Sequence, residues 1–447
     1  MSISAQEIAE RCLREASSSG ECIAVVDEVS SVHARFVGGQ LTSSSQTQHR
    51  RLTLATLDGQ ALGLATRTGL DQPDALRSTV VAARANSAPR TEASPLVASD
   101  ESATSNDWSA APAQVGPDAL AGVAAHTRAT QGGTPHGFAE ERVTTTYLAT
   151  STGLRLRHQD LFAVLDVSWR CNDADRQNHW TGALGTTLAG LTAEALRPVT
   201  HDLQHPTLRR APLRTGRYDV ILTPSCMADL AHHLYGALGA QDALAGQSPF
   251  ADLAGDRLTH TPLRLHSDPH HPALPCAPFV IARGADPRTS VLDNGLGLKA
   301  TEWIADGALK ALVHTRESAR RGDHVPTPAI DNLVLEGDSP VGDLAALIAG
   351  TERAILVNSL WYLRPVDRQR LTLTGLTRDG VYLIEGGEIT AELPDFRFNE
   401  SVLELLRRIT AFGHSQPALP REWAWVSTRM AMPPVRVEGF DVTAVST

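Results

Sequence analysis

The chain has 447 residues, of which 42% are apolar and 20% charged, so it is long enough for two or three soluble domains with sizeable cores. Its formal net charge of −10 provides no general basic field for nucleic acid or an anionic membrane, and we expect neither as a partner. No run approaches the roughly 18 apolar residues that span a bilayer. Five cysteines without a CxxC pair, and an N-terminus without a signal-peptide core, indicate reduced thiols and a cytoplasmic location.

Residues 1–95 are predicted to form a small N-terminal α/β domain. Ser4 and Glu7 make a capping box ahead of apolar residues at helical spacing. Asp58 and Gly59 are a turn signal inside an alternating run and predict a hairpin. The elements expected after the first helix are strands at 22–28, 33–39 and 51–68 and a helix over 71–88.

Residues 96–212 are predicted to contain a linker and a strand-rich middle domain. From 89 to 133 the composition shifts to Ser, Thr, Ala, Pro and acids, which is typical of a linker or a loosely packed connection, with one helix near 117–128. A strand-rich stretch follows over 142–171 and is broken by a turn at Thr152-Gly153.

Residues 213–447 are predicted to form a large C-terminal domain dominated by antiparallel sheet. The stretch 218–224 is typical of a strand, and paired strands broken at Gly turns are expected within 301–314 and 379–393. The many short strands and few long helices predict an α+β fold for the whole chain.

The stretch "LAHHLYGAL" (230–238) places two adjacent histidines in a predicted helix. On a helical wheel the residues Met227, Leu230, Ala231, Leu234 and Leu238 share one apolar face, and Asp229, His232, His233 and Gly236 lie opposite. Adjacent histidines diverge by 100° and do not converge on one ion as an i,i+4 pair does. We therefore interpret the pair as part of a polar face that meets solvent or a partner, rather than as a metal site.

A second group of metal-ligand residue types occurs in "THTPLRLHSDPHHPALPC". Its spacings match no closed or catalytic zinc pattern, and its prolines predict an irregular surface loop. Its members are His260, His266, His270, His271 and Cys276.

The C-terminal third resembles a known family. The blocks "LWYLRPVDRQRLTLTGLTRDGVYLIEGGEIT" (360–390), "DFRFNES" (395–401) and "ALPREWAWVSTRMAMPP" (418–434) are similar to the TldD/PmbA family, and within it to the TldE-type chains. Weaker matches extend over essentially the whole chain.

The resemblance implies a complex of two related chains. The TldD-type chain carries HExxxH, whose histidines bind a zinc-like metal and whose Glu acts as general base, whereas the TldE-type chain lacks these residues. Such complexes degrade unfolded peptides or trim modified peptide precursors. The implied partners are therefore a TldD-type metallopeptidase subunit and a peptide substrate, with the metal held by that subunit and no cofactor in this chain.

The resemblance also places the HExxxH window on residues 231–236 when "SPF" (248–250) is held in register. Ala231 and Gly236 then occupy the two histidine positions and His232 the glutamate position, so we expect no catalytic residue and no metal ligand. In "FRFNES", polar residues interleave with Phe396 and Phe398 at strand periodicity.

The residues that we expect to contact substrate or partner are Arg397, Asn399, Glu400, His232 and His233. A structural strand is an equally good interpretation of the first three. Three functions stay open: a non-catalytic subunit of a metallopeptidase complex, a self-sufficient metal-dependent peptidase or peptide-tailoring enzyme, and a peptide-binding or assembly protein without enzymatic activity.

Overall fold

The computed structural model describes residues 3–16, 20–59, 61–70, 72, 74–89, 94–105, 107–123, 134–170, 178–191, 208–251, 253, 255–426 and 429–446. Its strands are β1 (Glu21–Val37), β2 (Gln40–Asp58), β3 (Ala61–Thr68), β4 (Ala88–Pro89), β5 (Thr134–Thr150), β6 (Arg155–Arg170), β7 (His179–Gly185), β8 (Arg209–Arg210), β9 (Gly216–Leu222), β10 (Leu263–Ser267), β11 (Thr301–Ala305), β12 (Ala308–Leu309), β13 (Leu333–Gly337), β14 (Arg353–Val357), β15 (Leu360–Asp367), β16 (Thr372–Thr377), β17 (Val381–Glu385), β18 (Glu388–Glu392), β19 (Phe396–Ser401), β20 (Ile409–Phe412), β21 (Gln416–Pro417), β22 (Met430–Met432) and β23 (Val435–Val445). Its helices are α1 (Ala5–Ala16), α2 (Ala75–Ala85), α3 (Pro224–Ala237), α4 (Ala240–Leu244), α5 (Arg316–Gly322), α6 (Leu344–Ala349) and α7 (Val402–Arg407).

The first sheet has the strand order β4-β3-β2-β1-β5-β6-β7, and all its neighbours are antiparallel. The predicted capping box is present, since the Glu7 N–H donates to Ser4 Oγ at 3.1 Å at the start of α1. The predicted hairpin is also present: β2 pairs with β3, and Gly59 has φ +56°, a conformation that favours glycine. Helices α1 and α2 pack on one face of this sheet around a common apolar cluster.

Strands from the first two predicted segments share this sheet. Strand β1 pairs with β5 from Ile23 opposite Thr150 to Val37 opposite His136. The runs at 22–28 and 33–39 form this one long strand, because its residues stay paired throughout. The division of the chain at 95 and 212 stays a prediction about independently folding units.

The predicted linker is partly built into the core. Leu96 and Val97 are 4% and 1% exposed and pack beside the first sheet and the 279–296 stretch. Val115 and Leu120 cover the opposite face of the same sheet. Of the helix predicted near 117–128, the described residues show a short 3-10 turn, Pro117–Leu120, and a helical residue at Val123. Residues 124–128 lie outside the described part of the chain, as do Asp71 and Pro73 before α2.

Two further sheets form the C-terminal part. One has the order β12-β11-β10-β13-β22-β21, and the larger has the order β15-β16-β19-β23-β9-β14-β17-β18-β8, with β20 also paired to β23. Most pairs are antiparallel, and the parallel ones are β13 with β22, β14 with β9 and β18 with β8. The α+β prediction with its antiparallel C-terminal sheets is therefore confirmed.

Helix α3 contacts strands of both C-terminal sheets and belongs to the largest apolar cluster of the protein. That position makes it a fixed scaffold for whatever its outer face carries. Within the described residues, none of the helices combines the length and the apolar content needed to cross a bilayer.

Candidate functional site

Helix α3 begins as its sequence dictates. Thr223 is extended and its hydroxyl accepts a hydrogen bond from the Cys226 N–H, while Pro224 occupies the first turn, where its missing N–H costs nothing. The predicted apolar seam is buried, with Leu230, Leu234 and Leu238 at 1%, 2% and 0% exposure. The helix is therefore held by its core face, and its opposite face is the candidate site.

Asp229 lies on that opposite face and is completely buried. Its carboxylate accepts three backbone N–H groups, from Arg421 at 3.1 Å, Glu422 at 3.1 Å and Trp423 at 3.4 Å. Burial raises the pKa of Asp229 well above its ordinary value, although the three N–H donors oppose that shift. Asp229 thus fixes the segment 421–423 across the helix.

The two histidines lie against that segment. The His232 ring stacks on the Trp423 indole, with centroids 4.3 Å apart and planes 14° apart, and His233 meets the same indole edge-on at 5.4 Å. This face packs on residues 421–423 of its own chain, and both rings remain half-buried, so their contact with a substrate or partner stays a prediction. Divergence of the two rings, as predicted, lets each use a different side of one tryptophan.

Segment 421–423 is held at its other end as well. The Arg421 guanidinium donates to Ser359 Oγ at 2.7 Å, pairs with Asp379, and lies over the Trp180 and Trp361 rings. Glu422 accepts the Leu363 N–H at 2.6 Å and pairs with Arg364. No local sequence pattern pointed to this segment, because every one of its partners is distant in sequence.

The residues at the positions that the resemblance assigns to HExxxH do not fit a metal. Ala231 and Gly236 have no donor atoms in their side chains, and Trp423 covers the ring of His232. Across the described ranges, no group of three or more His, Cys, Asp or Glu side chains is placed to hold an ion. We therefore derive no metal-dependent step from this helix.

Burial lowers the pKa of His232 and of His233 to about 4, with each ring also repelled by nearby positive charge or by its neighbour. Their ordinary value is 6.5. The unfolded chain therefore takes up protons on these rings below about pH 6.5, while the folded chain does so only near pH 4. Stability that is present above pH 6.5 should be lost as the pH falls through this window.

We expect the free energy of unfolding to fall by about 2 kcal/mol between pH 7 and pH 4.5 because of this pair, allowing for their partial exposure. Urea denaturation at a series of pH values measures it. The double variant His232→Ala/His233→Ala should give a flatter curve, and His270→Ala, an exposed histidine, should follow the wild type. Parallel curves for the double variant and the wild type would contradict the assignment.

The other predicted site residues lie on strand β19, and their side chains lie on opposite sides of it. Arg397 and Asn399 are exposed, as predicted, but Glu400 is 5% exposed and lies on the side of Phe396 and Phe398. Its carboxylate pairs with Arg408 and accepts the Asp441 N–H at 2.8 Å. Burial raises the pKa of Glu400, against the pull of Arg408. Glu400 ties strands together here and does not present its charge to a ligand.

Among the described residues, the members of the second histidine group do not converge on one site. His266 Nε2 lies 3.0 Å from Glu336, whereas burial raises the pKa of Cys276 to about 12 and keeps its thiol protonated. The predicted irregular surface loop is only partly correct, because His266 lies on strand β10 and Cys276 is 5% exposed, whereas His270 and His271 lie in the turns between them.

Comparison with known proteins gives consistent results. Residues 215–444 match the PmbA/TldA metallopeptidase C-terminal domain. A metalloprotease from Methanocaldococcus jannaschii is 24% identical over 229 residues, which cover 46% of this chain and 45% of that protein. The aligned region thus spans less than half of that relative.

Solved structures share the fold along nearly the whole chain. TldE from Thermococcus kodakarensis has a TM-score of 0.78 at 16% identity, over 97% of this chain and 99% of that one. A protein from Bacteroides thetaiotaomicron described as a proposed modulator of DNA gyrase has a TM-score of 0.77 at 15% identity, over 98% and 99% of the two chains. A protein from Thermotoga maritima with a similar description has a TM-score of 0.74 at 16% identity, over 98% and 100%.

Proposed function

Since this chain belongs to the PmbA/TldD metallopeptidase family, we propose that it is a non-catalytic, TldE-like subunit of a metallopeptidase complex that acts on unfolded or modified peptides. Its partner is a TldD-type chain that carries HExxxH and holds a zinc-like metal. This chain supplies walls of the substrate chamber and contacts to the partner.

The observation that carries the proposal is the state of helix α3. Hydrolysis of a peptide by a metal centre requires an ion that polarises the carbonyl and activates water, together with a base that takes up the proton. At the positions that the resemblance assigns to HExxxH this chain has Ala231, His232 and Gly236, and Trp423 stacks on the histidine. His232, whose pKa is lowered to about 4 and whose ring is stacked on Trp423, is a weak base, and the side chains of Ala231 and Gly236 offer no ligand atom to an ion.

Large apolar side chains exposed on two connected segments support the need for a partner. Tyr362 and Val366 are 59% and 60% exposed, and Trp425 and Val426 are 65% and 68% exposed. Glu422 connects these two segments through its bonds to Leu363 and Arg364. Large exposed apolar side chains are enriched at interaction surfaces, so these two segments are candidates for contact with the partner. Arg397 and Asn399, exposed on β19, are further candidates for contact with the peptide or the partner.

The test is co-expression with a candidate HExxxH chain, followed by co-purification and a peptide-cleavage assay. We expect a stable complex that cleaves unfolded peptide, and no cleavage by this chain alone. A chelator or replacement of the partner's motif Glu should abolish cleavage, because both act on the metal centre. The variant His232→Ala/His233→Ala should form the complex and retain its activity.

Two controls separate the alternatives. Trp425→Ala should weaken co-purification, and Leu244→Ala, an equally exposed residue on α4, should leave it unchanged. Chelator-sensitive cleavage by the repurified single chain would instead show a self-sufficient enzyme. Failure to associate with any HExxxH chain, with peptide binding retained, would favour a peptide-binding protein.

A further inference from the structure

A charged pocket of about 400 Å³ lies between the first sheet and the C-terminal part of the chain. Its floor is one face of β2, β1, β5 and β6, and its roof is formed by residues 276–283, Asp331 and Arg429. The size lies at the lower end of the range for small-molecule sites. We call it the arginine pocket after Arg51, Arg142, Arg283 and Arg429.

The register of the sheet builds the floor in rows. One row contains Arg51, Asp27, Thr146 and His158, because Asp27 is opposite both Arg51 and Thr146, and Thr146 is opposite His158. The next row has His49, Val29, Thr144 and Asp160 in the same order. Side chains two residues apart share a face, so these rows point together toward the roof.

Asp27 joins the floor to the roof. It is fully buried, and Arg283 donates to both of its oxygens, at 2.7 and 2.6 Å, while Arg51 donates to one of them at 2.9 Å. Burial would raise the pKa of Asp27, but the hydrogen bonds and charge of Arg283, together with the hydrogen bonds from Arg51 and Thr146, outweigh it and lower the pKa. The pocket therefore has a rigid charged base.

Apolar contacts between the sheet and the C-terminal part of the chain lie on both sides of the pocket. Along the same face of the sheet, Val25 and Leu148 pack against the stretch around Phe279, and farther along Phe162 packs against the stretch around Leu419. A polar band enclosed between two apolar contacts carries a desolvation cost unless a ligand or water satisfies it. His158 Nε2 is buried beside the pocket and has no hydrogen-bond partner among the residues that the structure describes.

The walls carry both signs of charge. Beside the four arginines stand three carboxylates, those of Glu140, Asp160 and Asp331. Arg429 pairs with Asp160, but the Arg142–Glu140 pair is long, at 3.5 Å. Mixed walls complement a ligand that carries both charges better than either a simple anion or a simple cation.

We propose that the arginine pocket binds a short peptide with two free termini, its carboxylate at the arginines and its ammonium at the wall carboxylates. The choice of a peptide rests on the proposed function, since a subunit of a peptidase complex meets short cleavage products. The pocket belongs to this chain, so it binds without the partner subunit.

Isothermal titration of this chain alone with trialanine tests the inference. We expect saturable binding, weakened about tenfold or more when the carboxylate is amidated or the amine is acetylated, because each change removes a charge-assisted hydrogen bond. Arg142→Ala should weaken binding of free trialanine to a similar extent. Arg370→Ala, at a side chain 82% exposed on the turn between β15 and β16, is the matched control and should bind as the wild type does.

His49→Ala is the second variant, because this exposed residue lines the pocket and its loss leaves the core untouched. It should weaken binding several-fold while circular dichroism shows an unchanged fold. No binding at millimolar trialanine, equal binding of the free and capped peptides, or wild-type affinity in both pocket variants would overturn the inference. If one of these results were obtained while the two-chain complex cleaved peptide, the peptide site would be refuted and the proposed subunit role would still stand.

Discussion

Replacing Asp229 with alanine should lower the free energy of unfolding by about 3 kcal/mol or more. The carboxylate is fully buried and accepts the backbone N–H groups of residues 421, 422 and 423, which would lose their common acceptor. A buried donor without a partner costs about 1–3 kcal/mol, and partial access of water to this segment keeps the sum below the maximum. Urea denaturation at pH 7 measures the change.

Two matched variants show whether the hydrogen bonds cause the loss. Asp229→Asn keeps the shape and one acceptor oxygen and should lose roughly half as much stability, because its amide group faces at least one N–H donor. Asp256→Ala removes an exposed carboxylate and should change stability by less than about 0.5 kcal/mol. A loss for Asp229→Ala no larger than that for Asp256→Ala would show that the segment is held by other contacts.

The elements that the sequence predicted well are those set by neighbouring residues. The hydroxyl of Ser4 caps the first helix, Gly59 supplies the positive φ of a hairpin, and Thr223 with Pro224 begins helix α3. The leucines of that helix are buried at the predicted spacing. Such signals act within a few residues, and a single sequence contains them completely.

The sequence predicted the part of the candidate site that lies on helix α3, but not the segment 421–423 that packs on it. The wheel placed Asp229, His232 and His233 on a common face, but what covers that face lies 192 or more residues later in the chain. Nothing in the periodicity of helix α3 specifies a tryptophan at 423. The wheel therefore predicts contact with solvent or a partner, but it contains no signal for the buried acceptor and the two aromatic contacts that hold a distant segment there.

Glu400 differs, because its position could have been predicted from the sequence. It is two residues from Phe398 and four from Phe396, so strand periodicity puts all three on the same side. Its burial follows from that periodicity, whereas its ion pair with Arg408 does not. The burial of Leu96 and Val97 could not be predicted, for another reason. The sequence around them is polar, and the burial of two isolated apolar residues can be inferred only when the sheet that they cover is known.

Replacing Leu234 with alanine should cost about 2–5 kcal/mol, through lost transfer free energy and the cavity left in the core. Leu234 is 2% exposed and belongs to the apolar cluster that joins α3 to both C-terminal sheets. Leu244→Ala, at a leucine 70% exposed on the next helix, should change stability by less than about 0.5 kcal/mol. The double variant His232→Ala/His233→Ala should lose only about 1 kcal/mol at neutral pH, the scale of its aromatic contacts. If urea denaturation ranked the histidine variant as the most damaging of the three, helix α3 would be held by its outer face, and Trp423 rather than the leucine seam would fix its position.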